Sequence, residues 1–258
     1  MTRVNSATRW GSNLASRADH VTRMHNDPTA APQTKAISVE IPVDGKRLQG
    51  TLSLPRASLG LVAFAHGSGS SRHSPRNTFV ARVLADAGIG TLLFDLLTAA
   101  EDRDYASRFD ISLLSSRLVA ATEWLADESS VAGLALGYFG ASTGAAAALV
   151  AAAQLGSRVS AVVSRGGRPD LAGADALRRV TAPTLLIVGG EDHTVVGLNR
   201  DAYAHLTCDK ALEIVPGATH LFEEPGTLEA VAALAAEWFR RRFTAGRNVE
   251  RQPRDERR

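Results

Sequence analysis

A chain of 258 residues with 45% apolar and 22% charged side chains can bury one large core and has the composition of an ordinary globular protein. Its single cysteine, Cys208, excludes an internal disulfide and a multi-cysteine zinc site, and points to a reducing, cytoplasmic setting. The formal charge of +2 belongs to the ends: residues 1–35 carry five basic and two acidic side chains, residues 240–258 eight arginines against three acids, so the body between them is −6. That distribution argues against a specific nucleic-acid partner and for solvated basic tails.

In chain order, Met1–Ser6 leads into no apolar segment, so no secretory signal is expected, and residues 1–35 read as a flexible extension. Ile37 to Val43 alternates apolar and polar, Asp44-Gly45 signals a turn, and Leu48 to Leu54 returns: a hairpin. Continuous apolar runs follow at Leu61–Ala65, Gly90–Phe94, Leu134–Phe139, Val159–Val163, Pro183–Val188 and Ala211–Val215, as expected of strands buried on both faces. Helical stripes lie between and after them at Phe79–Ala87, Leu114–Leu125 and Leu228–Phe239. The uncharged stretch from Ser129 to Ser157 is long enough for a membrane span, but Gly137, Gly140, Gly144 and Ser142-Thr143 break it, so it reads as a buried strand and a buried helix. The alternation predicts an α/β fold: a mostly parallel sheet, an N-terminal antiparallel hairpin and helices on both faces, as one domain over residues 36–243 with a basic tail at 244–258.

Gly140-Ala141-Ser142-Thr143-Gly144, between an apolar run and an alanine-rich segment, has the G-x-S-x-G pattern of a nucleophile elbow. Small residues two before and two after the serine let strand and helix close around a strained bend. Ligands of an open parallel sheet bind beyond the carboxyl ends of its strands. Those positions hold His66-Gly67-Ser68-Gly69 after the first buried strand and Ser142 after the third. Gly189-Gly190-Glu191-Asp192 follows the fifth, and Gly217-Ala218-Thr219-His220 the sixth. Nucleophile, acid and histidine occur in the order this fold uses.

The segments His66–Asn77, Leu92–Leu97, Gly137–Ala148, Val163–Gly173 and Val215–Gly226 carry a resemblance to the dienelactone-hydrolase-like branch of the α/β-hydrolases. Within that branch the chain resembles the hydrolase modules joined to phosphoribosyltransferase domains. Dienelactone hydrolases proper have a cysteine nucleophile where this chain has Ser142, so lactone specificity does not carry over. No acidic pair leading a phosphoribosyltransferase-type phosphate loop is visible, so that activity is not expected. The resemblance implies acyl transfer to water: Ser142 as nucleophile, His220 as base, and Asp192 rather than Glu191 as its orienter. The oxyanion would rest on backbone N–H groups of Thr143 and Ser68. The expected substrate is a small ester or thioester; lactonase, acyl transferase and a non-catalytic binding scaffold are the alternatives.

His66 and Gly67, with Arg72 and Arg76 after the first buried strand and Arg165 and Arg168 after the fourth, are candidate substrate-binding residues. The arginines form either an anion site or loop staples on Asp95, Asp110 or Asp170, and the second reading is preferred. About sixteen residues separate Gly166 from Pro183, too few for a large cap, so an open site is expected. No cofactor and no metal are expected, no membrane span, and a homodimer is left open. Cys208 reads as a small core residue.

Overall fold

A computed structural model describes residues 34–250. Of the two expected extensions, it therefore covers only the start of the first strand and the continuation of the last helix to Glu250; the remainder lies outside the described residues. Strands β1 (Thr34–Val43) and β2 (Lys46–Pro55) pair antiparallel along their whole length, from Thr34 opposite Pro55 to Val43 opposite Lys46. Asp44 and Gly45 both have positive φ, 48° and 72°. Such a two-residue turn matches the twist of the flanking strands, and aspartate and glycine are among the few residues that tolerate it.

The chain continues as β3 (Gly60–Ala65), α1 (Pro75–Asp86), β4 (Gly90–Phe94), α2 (Ile111–Asp127), β5 (Ala135–Ala141) and α3 (Thr143–Leu155). It ends with β6 (Ala161–Arg165), α4 (Ala174–Arg179), β7 (Thr184–Gly189), α5 (His193–His205), β8 (Lys210–Val215) and α6 (Thr227–Glu250). The strands form one sheet in the order β1-β2-β4-β3-β5-β6-β7-β8. β2 runs antiparallel to β4, and every later neighbour is parallel.

Burial on both faces accounts for the unbroken apolar runs. In β3, Leu61, Ala63 and Ala65 join one core with Leu118 of α2 and Ala147 and Ala148 of α3. Val62 and Phe64 face the other way, onto Val80 and Leu84 of α1 and Phe239 and Phe243 of α6. Alanines make up most of the buried surface of α3, which lets it lie close to the sheet.

The chain leaves β3 toward β4 on one side, and β5 continues toward β6 on the other. That reversal opens a crevice at the carboxyl ends of β3 and β5, where open α/β sheets bind ligands. Only a four-residue 3₁₀ turn (Pro169–Ala172) and the six-residue α4 lie between β6 and β7, so this connection forms no large cap. Among the described residues no helix is long and apolar enough to cross a membrane.

Within the body of the sheet the structure departs from the sequence-based expectation at β6 and α5. β6 begins at Ala161, because Val159 closes a 3₁₀ turn through its N–H to the Gly156 carbonyl (3.1 Å). The strand therefore extends to Arg165, which is its buried last residue and not part of the loop. α5 has no apolar stripe of its own: it buries Val195, Val196 and Ala202 beside a polar residue, Asn199.

Candidate active site

The bend at Ser142 is built by exclusion. Ser142 has φ 50° and ψ −122°, a conformation that costs a non-glycine residue roughly 1–3 kcal/mol and persists only where its surroundings impose it. A Cβ on Gly140 would lie 2.5 Å from the Ala145 Cα, and one on Gly144 2.1 Å from the Ala65 carbonyl oxygen. Both positions therefore require glycine. The Ser142 N–H donates to the Arg165 carbonyl (3.3 Å), and the Ser142 carbonyl accepts from the N–H of Ala145 (3.1 Å) and Arg168 (3.0 Å). The side chain is thus held at the start of α3 by bonds to its own backbone.

Asp192 sits at the N-cap of α5 but makes no capping bond. Its Oδ2 instead accepts from His220 Nδ1 at 2.7 Å, while Glu191 is exposed. Close packing brings the two loops together: a Cβ on Gly189 would lie 2.4 Å from the Ala218 carbonyl and 2.5 Å from that of Thr219. The Glu191 N–H bonds the Ala218 carbonyl (2.9 Å). Across the sheet, the Cβ position of Gly166 lies 3.0 Å from the His220 carbonyl and 3.7 Å from its Nδ1. Gly166 directly follows Arg165, the partner of the Ser142 N–H, so Ser142 and His220 border the same segment. With Nδ1 engaged by the carboxylate, Nε2 is the ring nitrogen left to accept a proton.

The loop after β3 closes the other side. A Cβ on Gly67 would lie 3.0 Å from the Ser142 Cβ and 3.1 Å from the Ala141 carbonyl, so glycine lets this backbone pass near the serine without either having to give way. The Ser68 N–H donates to Thr143 Oγ1 at 2.9 Å. Thr143 opens α3, where a helix leaves its first N–H groups without intrahelical partners. The two expected oxyanion donors are therefore neighbours, one of them engaged by the hydroxyl of the residue that carries the other.

Residues 77–245 match the family model described as the dienelactone hydrolase family. The chain belongs to the dienelactone hydrolase family. It is 56% identical to a crystallised dienelactone hydrolase from Anabaena variabilis, with a TM-score of 0.79 over 81% of this chain and 99% of that one. It is also 58% identical over 213 residues to Mycobacterium tuberculosis proteins whose name assigns them provisionally to the phosphoribosyl transferases. That match covers 83% of this chain and 48% of theirs, so the chain spans about half the length of these curated relatives. Est1E from Butyrivibrio proteoclasticus shares the fold at TM-score 0.69 and 17% identity, over 80% of this chain and 99% of its own. As a member of this family the chain is an α/β-hydrolase enzyme.

The remaining candidate residues differ in what their side chains touch. His66 is 6% exposed; its Nε2 accepts from the Leu96 N–H (2.9 Å) and its Nδ1 donates to the Gly67 carbonyl (3.0 Å). Both nitrogens are spent on backbone, and burial pushes its pKa down, so it is a neutral pin between the loops after β3 and β4 rather than a substrate contact. Arg72 pairs with Asp95, which also accepts from the Arg72 N–H (2.8 Å). Arg168 makes two bonds to Asp170 (2.9 and 2.8 Å). These two are staples. Asp110 instead caps α2 by accepting from the Leu113 N–H (2.9 Å). Arg76 reaches Glu223 (3.2 Å), and Arg165 reaches no carboxylate among the described residues.

Several supporting residues carry no sequence signal. Glu224 accepts from both the N–H (3.1 Å) and the hydroxyl (2.6 Å) of Thr219, bracing the histidine loop. Asn199 donates to the Gly167 carbonyl (2.9 Å), anchoring the segment beside Ser142. Arg108, bonded to Asp102 (3.1 Å), lines a crevice with His66, Ser68 and Leu97 beside the oxyanion loop. Among the described residues no cluster of three or more His, Cys, Asp or Glu side chains is placed to hold a metal. Cys208 is partly buried, with its Sγ 3.7 Å from Thr184 Oγ1.

Proposed function

We propose that this α/β-hydrolase is a serine hydrolase that cleaves a carboxylic ester or thioester through an acyl-enzyme on Ser142. The observation that carries the reading is the 2.7 Å bond between Asp192 and His220 at the same end of the sheet as the positive-φ Ser142. In the proposed reaction Ser142 Oγ attacks the carbonyl carbon while His220 Nε2 takes its proton. Asp192 holds the ring in the tautomer with Nδ1 protonated and stabilises the imidazolium. The tetrahedral oxyanion is received by the N–H groups of Thr143 and Ser68; losing one such donor costs on the order of 100- to 1,000-fold in rate. His220 then protonates the departing alcohol or thiol. Water, deprotonated by the same nitrogen, releases the carboxylic acid and restores the serine.

The short connection between β6 and β7 favours small or extended substrates over enclosed lipid chains. A lactone is an ester within the same chemistry, and the name of the Anabaena variabilis relative keeps it in the substrate panel. The test is labelling by a fluorophosphonate together with hydrolysis of 4-nitrophenyl acetate. Wild-type protein is expected to label on Ser142 and turn over the ester, and folded Ser142→Ala to do neither. A folded wild-type chain that does not label is a binding scaffold, and a Ser142→Ala variant keeping most of the rate removes Ser142 as nucleophile.

A further inference from the structure

Residues 95–110, which join β4 to α2, are held by a carboxylate that the proposed reaction does not use. Glu101 opens a short 3₁₀ turn (Glu101–Arg103) in this connection, and its side chain is 15% exposed. Its Oε1 meets Lys46 Nζ at 2.5 Å and Arg117 Nη2 at 3.0 Å. Its Oε2 accepts from the N–H and the hydroxyl of Thr98, both at 2.9 Å. Burial opposes its ionisation, but the bonds from Lys46 and Thr98 and the charge of Arg117 prevail and bring its pKa down to about 2. Arg117, with 3% of its side chain exposed, also reaches Asp44 (3.2 Å) in the hairpin turn. A charge so buried is tolerated only when paired, so carboxylate, α2 and hairpin hold one another. Two of the four bonds to Glu101 come from Thr98, within the connection itself, and a mere clasp on the hairpin would not need them.

The same connection touches the oxyanion loop. Asp102, the next residue, accepts from Arg108 Nε through its carbonyl (2.6 Å) and takes Nε and Nη2 with its carboxylate (3.1 and 3.3 Å). Nη1 of Arg108 then faces Gly69, 3.9 Å from where a Cβ on that glycine would stand. Arg108, Asp102 and Leu97 wall one side of a narrow crevice, and residues 66–69 form the other. Gly69, with φ 67°, directly follows Ser68, whose N–H is the proposed oxyanion donor beside Thr143. A chain of direct contacts thus runs from the hairpin through Glu101, Asp102 and Arg108 to the backbone of the oxyanion loop.

We propose that Glu101 is a positioning residue for acyl transfer: anchored on Lys46, Arg117 and Thr98, it fixes the turn from which Asp102 aims Arg108 against Gly69, and so holds the Ser68 N–H where the oxyanion develops. A donor contributes fully only if it is already in place when the charge forms. A misplacement of about 1 Å can cost on the order of 100-fold in rate. This assignment rests on the serine hydrolase reading, with Ser68 as one of its two donors.

The test compares folded full-length variants in hydrolysis of 4-nitrophenyl acetate and in inhibition by an alkyl trifluoromethyl ketone. Ser142 Oγ adds to the ketone carbon, the carbonyl π pair moves onto oxygen as an alkoxide, and the serine proton passes to His220. Affinity for the ketone therefore reports on the oxyanion site without turnover. Glu101→Gln should lower kcat by about tenfold or more, with KM within about twofold, and weaken the ketone by the same factor. Thr98→Val keeps every charge and should act the same way by about threefold, which supplies the reading if Glu101→Gln does not fold. Asp44→Asn, which touches Arg117 from the exposed turn, should leave kcat and ketone affinity within about twofold. An equal loss in Asp44→Asn, or a rise in KM with kcat intact in Glu101→Gln, overturns the positioning role. A wild-type chain that labels with a fluorophosphonate, while folded Glu101→Gln and Thr98→Val keep full kcat and ketone affinity, removes that role and leaves the hydrolase reading. A wild-type chain that neither labels nor turns over the ester removes both.

Discussion

Two histidines follow parallel strands at the same end of this sheet and differ in almost every physical respect. His66, after β3, is nearly buried, with both ring nitrogens bonded to backbone of the loops it joins. His220, after β8, keeps 38% of its side chain exposed and bonds one nitrogen to a carboxylate. A buried imidazole with an N–H donating to one nitrogen is held in a single neutral tautomer and protonates only below its ordinary range. An imidazole with a carboxylate on Nδ1 and, among the described residues, no bond on Nε2 is the arrangement the proposed reaction uses. Position at a strand end therefore marks a place where chemistry can occur, and the partners of each nitrogen decide whether it does.

The largest expected effect is on rate. His220→Ala should lower kcat on 4-nitrophenyl acetate by on the order of 10³- to 10⁶-fold with little change in the denaturation midpoint, since the members of the proposed triad would act as a unit. If the rate survives, the distinction between the histidines fails. His66→Ala should act on stability: the buried Leu96 N–H loses its acceptor, at a cost of about 1–3 kcal/mol measured by urea unfolding. Its rate per folded molecule should fall far less than that of His220→Ala; an equal fall would return His66 to the reaction.

A smaller effect concerns pH. Burial lowers the pKa of His66 below its ordinary 6.5 in the folded chain, so between the two values the unfolded chain binds more protons. Its contribution to stability is therefore complete above about pH 6.5 and declines as pH falls toward the lowered value. The stability gap between wild type and His66→Gln should narrow from pH 7.5 to pH 5. A constant or widening gap would contradict the neutral-pin assignment. The smallest effect is expected from Glu224→Gln, which keeps the shape but loses the charge bracing Thr219. A rise in KM of a few-fold and a nearly unchanged urea midpoint should follow, as for other exposed charged contacts.

Much of this architecture is visible in the chain alone, for reasons that differ by element. Strands buried on both faces need unbroken apolar runs, so β3, β4 and β7 announce themselves. The elbow is legible because Gly140 and Gly144 sit where any Cβ would strike backbone. α5 is not legible, since it spends a core position on Asn199 to hold the Gly167 carbonyl. The choice between Glu191 and Asp192 depends on where α5 begins, which adjacent carboxylates cannot reveal. The fate of the arginines depends on strand register: a start two residues later at β6 turns Arg165 from a loop residue into a buried one. The lack of a partner on its Nε among the described residues is a property of three-dimensional neighbours and leaves no local trace.

The bond from the Ser68 N–H to the Thr143 hydroxyl bears on how the proposed reaction would select its transition state. A ground-state carbonyl oxygen arriving there must displace a neutral acceptor of much the same strength, and the exchange yields little. An alkoxide displacing the same hydroxyl gains a charge-assisted bond roughly twice as strong. An acceptor built into the protein would thus act as a threshold, discounting affinity for the resting ester while leaving the gain at the moment of bond formation intact.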